Sequence, residues 1–70
     1  MSVVKVIEII SDTRGSIEDA VQAAVSEASE SVKDIKEVWV ASIKAMVDGG
    51  TVTGYRVNTK ISFVVRTSRD

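Results

Sequence analysis

The clearest pattern in the chain lies in its last third. Between Val52 and Arg66, the residues Tyr55, Val57, Thr59, Ile61, Phe63 and Val65 alternate with Arg56, Asn58, Lys60, Ser62, Val64 and Arg66. A period of two is that of a β-strand with one face on a core, and the first set is the one predicted to pack. Val3 to Ile10 is also rich in strand-favouring Val and Ile, but it does not alternate. Val3, Ile7 and Ile9 point one way, and Val4, Val6 and Ile10 the other. Both faces of this strand therefore require cover.

Between these segments the period changes to that of a helix. Ile17, Ala20, Val21, Ala24, Val25, Ala28 and Val32 form one stripe at 3.6-residue spacing, with Glu18, Gln22, Ser26, Glu27, Ser29, Glu30 and Lys33 on the wet side. The many alanines allow the helix to lie close to a sheet. Ser11 to Gly15 reads as a turn, with Thr13 or Ser16 as N-cap. Ser16 and Asp19 have capping-box spacing, and Glu18 and Asp19 suit the positive end of the helix dipole. Lys33 and Asp34 are expected to end the helix. A second strand is predicted over Ile35 to Met46. Val47 to Thr51 is then a hairpin loop, in which Asp48-Gly49-Gly50 tolerates positive φ.

The prediction is a single α+β domain spanning residues 1–70, ordered β-α-β-β. A three-stranded antiparallel sheet wraps around one amphipathic helix, with the first strand beside the third. One helix covers one face of that sheet. The other face predicts a second subunit or a bound ligand.

Composition narrows the function. Seventy residues bury a modest core, and such chains usually gain stability from disulfides, a metal or partner chains. The sequence has no cysteine and no histidine, which removes disulfides, thiolate metal sites and the commonest general base. Oligomerisation is the ordinary remaining route. A net charge of −1, from 9 basic and 10 acidic residues, does not suit a nucleic-acid surface. No apolar run approaches the roughly 20 residues that cross a bilayer, and Lys5 and Glu8 interrupt any leader-like start, so a cytoplasmic protein is expected. No nucleophile–base pair or phosphate-binding glycine loop is present, so no catalysis is predicted.

Val4-Lys5-Val6-Ile7-Glu8-Ile9-Ile10, the helical Ala20-Val21-Gln22-Ala23-Ala24-Val25, and Gly54-Tyr55-Arg56-Val57 with Ile61-Ser62-Phe63 together resemble the dodecins. The resemblance runs over nearly the whole chain, and it rests on order, length and spacing rather than on one motif. It implies a homododecameric shell of 23 symmetry, a storage flavoprotein that sequesters FMN or riboflavin without chemistry. Flavins there stack between symmetry-related tryptophans and receive hydrogen bonds from a glutamine.

Aligned on this chain, the stacking tryptophan falls on Glu37 and the glutamine on Arg56, while the lone tryptophan is Trp39. Glu37, Trp39 and Arg56 are therefore the candidate ligand-binding residues, in an altered pocket of weak flavin affinity. Glu37 and Trp39 share a strand face, and that face is expected to carry Arg56 and Asn58. Trp39 reads as a shifted stacking platform or as an interface tryptophan. Glu37 and Arg56 read as a polar ligand site or as a cross-strand or intersubunit ion pair. The alternative to flavin is a cation-binding or purely structural assembly. Asp12, Asp34, Asp48, Glu8 and Glu37 offer the oxygen ligation that suits calcium or magnesium, without a defined metal site. Lys60, Arg66 and Arg69 read as a solvated face or as interface charges.

Overall fold

A computed structural model of the protein describes residues 3–65. Arg66 and Arg69, and the predicted polar tail from Thr67 to Asp70, lie outside them. The described elements are strand β1 (Val3–Thr13), helix α1 (Ile17–Ser29), strand β2 (Ile35–Asp48) and strand β3 (Thr51–Val65). The three strands form one antiparallel sheet in the order β1-β3-β2. The α+β class, the β-α-β-β order and the central place of β3 agree with the sequence reading.

Element ends differ from that reading where polar residues masked them. β1 continues through Ser11, Asp12 and Thr13, because these residues keep pairing with Val57, Arg56 and Tyr55. The predicted turn shrinks accordingly to Arg14 and Gly15. Ser16 is the N-cap: its hydroxyl accepts from the Asp19 amide at 3.1 Å, and its own amide donates to the Asp19 carboxylate at 3.2 Å. The helix closes at Ser29 rather than at Lys33 and Asp34. The amides of Ser31 and Val32 both donate to the Ala28 carbonyl, so the chain leaves the helix while Val32 still packs on the core. The hairpin loop is only Gly49-Gly50, with φ of 57° and 79°. Two successive positive φ values suit the primed turns that match strand twist, and glycine adopts them without steric cost.

Alanine spacing places the helix. Ala20, Ala24 and Ala28 are buried at four-residue intervals and lie over Val57, Thr59 and Ile61 of β3, which are fully buried. Ile7, Ile9, Val32, Ile35 and Val38 complete the cluster. Thr59, the one polar side chain buried with them among the described residues, donates its hydroxyl to the Ile9 carbonyl at 2.7 Å. Its burial is thereby compensated.

The sheet far outruns the helix. A 13-residue helix is about 20 Å long, whereas the 15 residues of β3 span about 50 Å. The principal extents of 57 × 19 × 13 Å reflect that disparity. From Ala41 to Thr53 the hairpin is exposed on both faces. The outer face of the sheet is uncovered along its length, with Val4, Val6, Ile10 and Trp39 each more than half exposed. The two-sided apolar character of β1 is thus met on one side only within the subunit. Among the described residues, no helix is long and apolar enough to cross a membrane.

Candidate functional site

The register of the sheet decides which candidate residues meet. Glu37 lies opposite Ser62 and Trp39 opposite Lys60, so both stand on the outer face with Arg56 and Asn58, as the strand period predicts. A β-bulge at Ala41 inserts one extra residue into β2, and Ser42 then pairs with Asn58 on that same face.

The cross-strand Glu37–Arg56 ion pair does not exist in the subunit. Glu37 pairs at Ser62, six residues along β3 from Arg56, which is about 20 Å of strand. Arg56 instead binds Asp12 on the other neighbouring strand. Its Nε donates to Oδ1 at 2.8 Å and its Nη2 to Oδ2 at 3.0 Å, a bidentate pair between directly opposed residues. Sequence reasoning placed Asp12 in a turn and so missed this partner. No sequence signal marked it, because β1 goes on pairing past Ile10 through the polar run Ser11-Asp12-Thr13.

The pair shifts both titrations. Hydrogen bonding to Arg56 holds the Asp12 carboxyl below its ordinary value of 3.8, and hydrogen bonding to Asp12 holds the Arg56 guanidinium above its own. A lowered carboxylate pKa contributes stability that is present above the unfolded value and is lost as the pH falls through the folded one. Both side chains are about half exposed, so this contribution is small. We expect an NMR titration to place Asp12 below 3.8 in the native protein. Arg56→Gln should return it upward; an unmoved Asp12 would show that the guanidinium does not hold it.

Trp39 is 62% exposed and presents its ring on the outer face. The Lys60 ammonium lies 5.0 Å from the ring centroid, so one face carries a cation–π contact. Lys60 is therefore half-buried against an aromatic ring rather than simply solvated. Arg56 stands four residues beyond Lys60 on β3, about 13 Å from the tryptophan's register position. The three candidates share a face, but they do not converge on one point.

Two further features were not singled out from sequence. The Asn58 Oδ1 is buried without a hydrogen-bond partner, on a small cavity of about 60 Å³ lined by Ile10, Ser42, Lys44 and Arg56. A larger cavity of about 320 Å³ lies where β1 ends, between Thr13, Arg14, Met46 and Tyr55. Among the described residues of the subunit, no three acidic side chains gather as a metal-binding group. Asp12 is engaged by Arg56, and Asp48 sits at the hairpin turn opposite Thr51.

The Dodecin family model matches residues 3–66 of this chain. The calcium dodecin of Mycobacterium tuberculosis is 39% identical over 66 residues, covering 94% of this chain and 93% of that protein. The crystal structure of a calcium-chelating antigen of that organism, also called calcium dodecin, superposes with a TM-score of 0.77 at 37% identity, over 97% of each chain. A crystal structure from Thermus thermophilus gives a TM-score of 0.88 at 22% identity, over 97% of this chain and all of that one, a likeness of fold.

Proposed function

Because the chain belongs to the dodecin family, we propose that it is a non-enzymatic, cytoplasmic subunit of a homododecameric shell that stores a small ligand, and that the outer sheet face around Trp39 holds a flavin weakly. The observation that carries this reading is the uncovered outer face. It presents apolar Val4, Val6 and Ile10 together with a largely exposed tryptophan, a combination that suits burial against other copies and a planar ligand between them.

The residues present fit a flavin in part. Trp39 fits as a stacking platform once Lys60 moves off its ring. Glu37 and Arg56 do not fit as stacking and amide partners, since both are charged and Arg56 is bound to Asp12. Bound flavin would supply an isoalloxazine whose excited state is quenched on tryptophan. The chain's own part is to orient and shelter that ring.

Titration with riboflavin or FMN tests this, read by flavin and tryptophan fluorescence. The expected dissociation constant is roughly micromolar or weaker, and Trp39→Leu should remove the quenching. Lys60→Met should tighten binding by about two- to fivefold, because an exposed cation–π contact of about 0.5–1 kcal/mol no longer competes for the ring. Unchanged affinity in Lys60→Met would mean that the ligand does not use that face. A monomer by light scattering would overturn the shell.

A second reading is favoured by the 39% identity to a calcium dodecin. No acidic group of three forms within the described residues of one subunit, so a calcium ion here would be shared between copies, with oxygen ligands from each. A melting temperature raised by calcium and indifferent to flavin would select this reading.

A further inference from the structure

We propose that the cavity of about 320 Å³ at the end of β1 binds a small organic monocarboxylate, with Arg14 holding the carboxylate and Met46 and Tyr55 receiving its apolar body. The site lies apart from Trp39 and does not depend on the flavin reading. Tyr55 is five residues along β3 from Lys60, the residue opposite Trp39, which is about 17 Å of strand.

The cavity follows from unequal strand lengths. β1 stops at Thr13, opposite Tyr55, while β2 and β3 run on as a hairpin to Asp48 and Thr51. Past Tyr55 the edge of β3 loses its β1 neighbour, and the chain turns away through Arg14 to the helix cap at Ser16. Gly54, the next residue of β3, has no side chain with which to fill the notch; a Cβ there would meet the Thr13 carbonyl oxygen. A volume of roughly 300 Å³ is at the small end of ordinary ligand sites.

The hydrogen-bonding capacity left on the wall decides the class of ligand. Asp12, the one carboxylate there, is held through both oxygens by Arg56. The Thr53 hydroxyl donates to the Met46 carbonyl at 3.4 Å. The Thr13 hydroxyl accepts from the Gly15 amide at 2.9 Å and keeps its own proton to donate. Arg14 forms no ion pair, and Tyr55 no side-chain hydrogen bond, among the described residues. What remains is a set of donors around one uncompensated positive charge. Such a wall repels a metal ion and suits a planar pair of acceptor oxygens, which a guanidinium matches with two parallel bonds. The Met46 side chain, 36% exposed, and the half-buried Tyr55 ring give the rest of the molecule an apolar bed. An inorganic anion would leave that bed unused.

Methyl NMR of the full chain labelled at methionine reads the site, since Met1 and Met46 are the only methionines. Titration with hexanoate should shift the Met46 methyl signal with half-saturation at about 1 mM, and leave Trp39 fluorescence unchanged. Hexanamide, which has the same chain and no charge, should bind roughly tenfold more weakly for want of charge-assisted hydrogen bonds. Hexanoate should lose as much on Arg14→Gln, a change at an exposed position outside the core. Arg14→Lys keeps the charge without the planar fork and should fall between. Equal binding of hexanoate and hexanamide, or wild-type binding by Arg14→Gln, would reduce the site to an apolar crevice and overturn the proposal. A Met46 signal indifferent to hexanoate, as expected if a second copy fills the notch, overturns it as well and leaves the flavin reading standing.

Discussion

Ile61→Ala is expected to cost the fold about 2–5 kcal/mol, the range for truncating a fully buried isoleucine. Ile61 has no exposure, and it stands between Ile7 on β1 and Val38 on β2, directly beneath Ala24 and Ala28. The alanines above it have no side-chain length with which to refill the space. The strands beside it are held in register by the ladder, so the cavity stays open and the cost falls toward the upper part of that range. Thermal melts at fixed protein concentration provide the measurement, since assembly would raise stability by mass action. Ile61→Val, which removes one methyl group, should lose about 0.5–1.5 kcal/mol. Near-equal melting of Ile61→Ala and wild type would show that the helix is not clamped on the sheet as described.

Gly54→Val should destabilise by about 3 kcal/mol through overpacking. Gly54 is buried, and a Cβ added there would meet the backbone carbonyl oxygen of Thr13, with the Arg14 Cα also within contact. Those atoms belong to the chain leaving β1 for the helix, and Thr13 is held in register against Tyr55. Backbone cannot rotate aside as a flexible side chain does. Accommodation therefore means breaking the end of the β1–β3 ladder, next to the Asp12–Arg56 pair. Loss of the lowered Asp12 pKa should accompany the lower melting temperature. Gly49→Ala offers a contrast: nothing lies near its Cβ, and its cost comes only from the positive φ of 57°, so about 1 kcal/mol is expected.

How much of the protein was legible in its sequence depends on the kind of signal. The helix stripe from Ile17 to Ala28 and the alternation from Tyr55 to Phe63 were read correctly, because solvent acts on each residue separately and leaves a periodic record. The capping box at Ser16 and Asp19 was legible for a similar reason, being a contact over three residues. The end of β1 was not, since Ser11 and Asp12 favour turns over strands, the single β-branched Thr13 is too short a signal, and all three are held there by pairing with β3. The helix end was misplaced because Val32 continues the apolar stripe, yet it reaches the core from a turn. Of the candidate site, the shared face of Glu37, Trp39 and Arg56 followed from strand period alone. Their separation did not, and neither did the partners of Arg56 and Trp39.

The sequence by itself determined the elements, the face that each turns to the helix, and the presence of apolar surface that one subunit cannot bury. These depend on local preference and on the burial of individual side chains. Tertiary structure alone decided the pairings across strands, Asp12 with Arg56 and Lys60 over Trp39, and left the buried Asn58 Oδ1 without a partner. Such pairings are set by register, which the hairpin turn, the Ala41 bulge and the central position of β3 establish together. A shift of one residue would keep the composition of the chain and exchange every partner on the outer face.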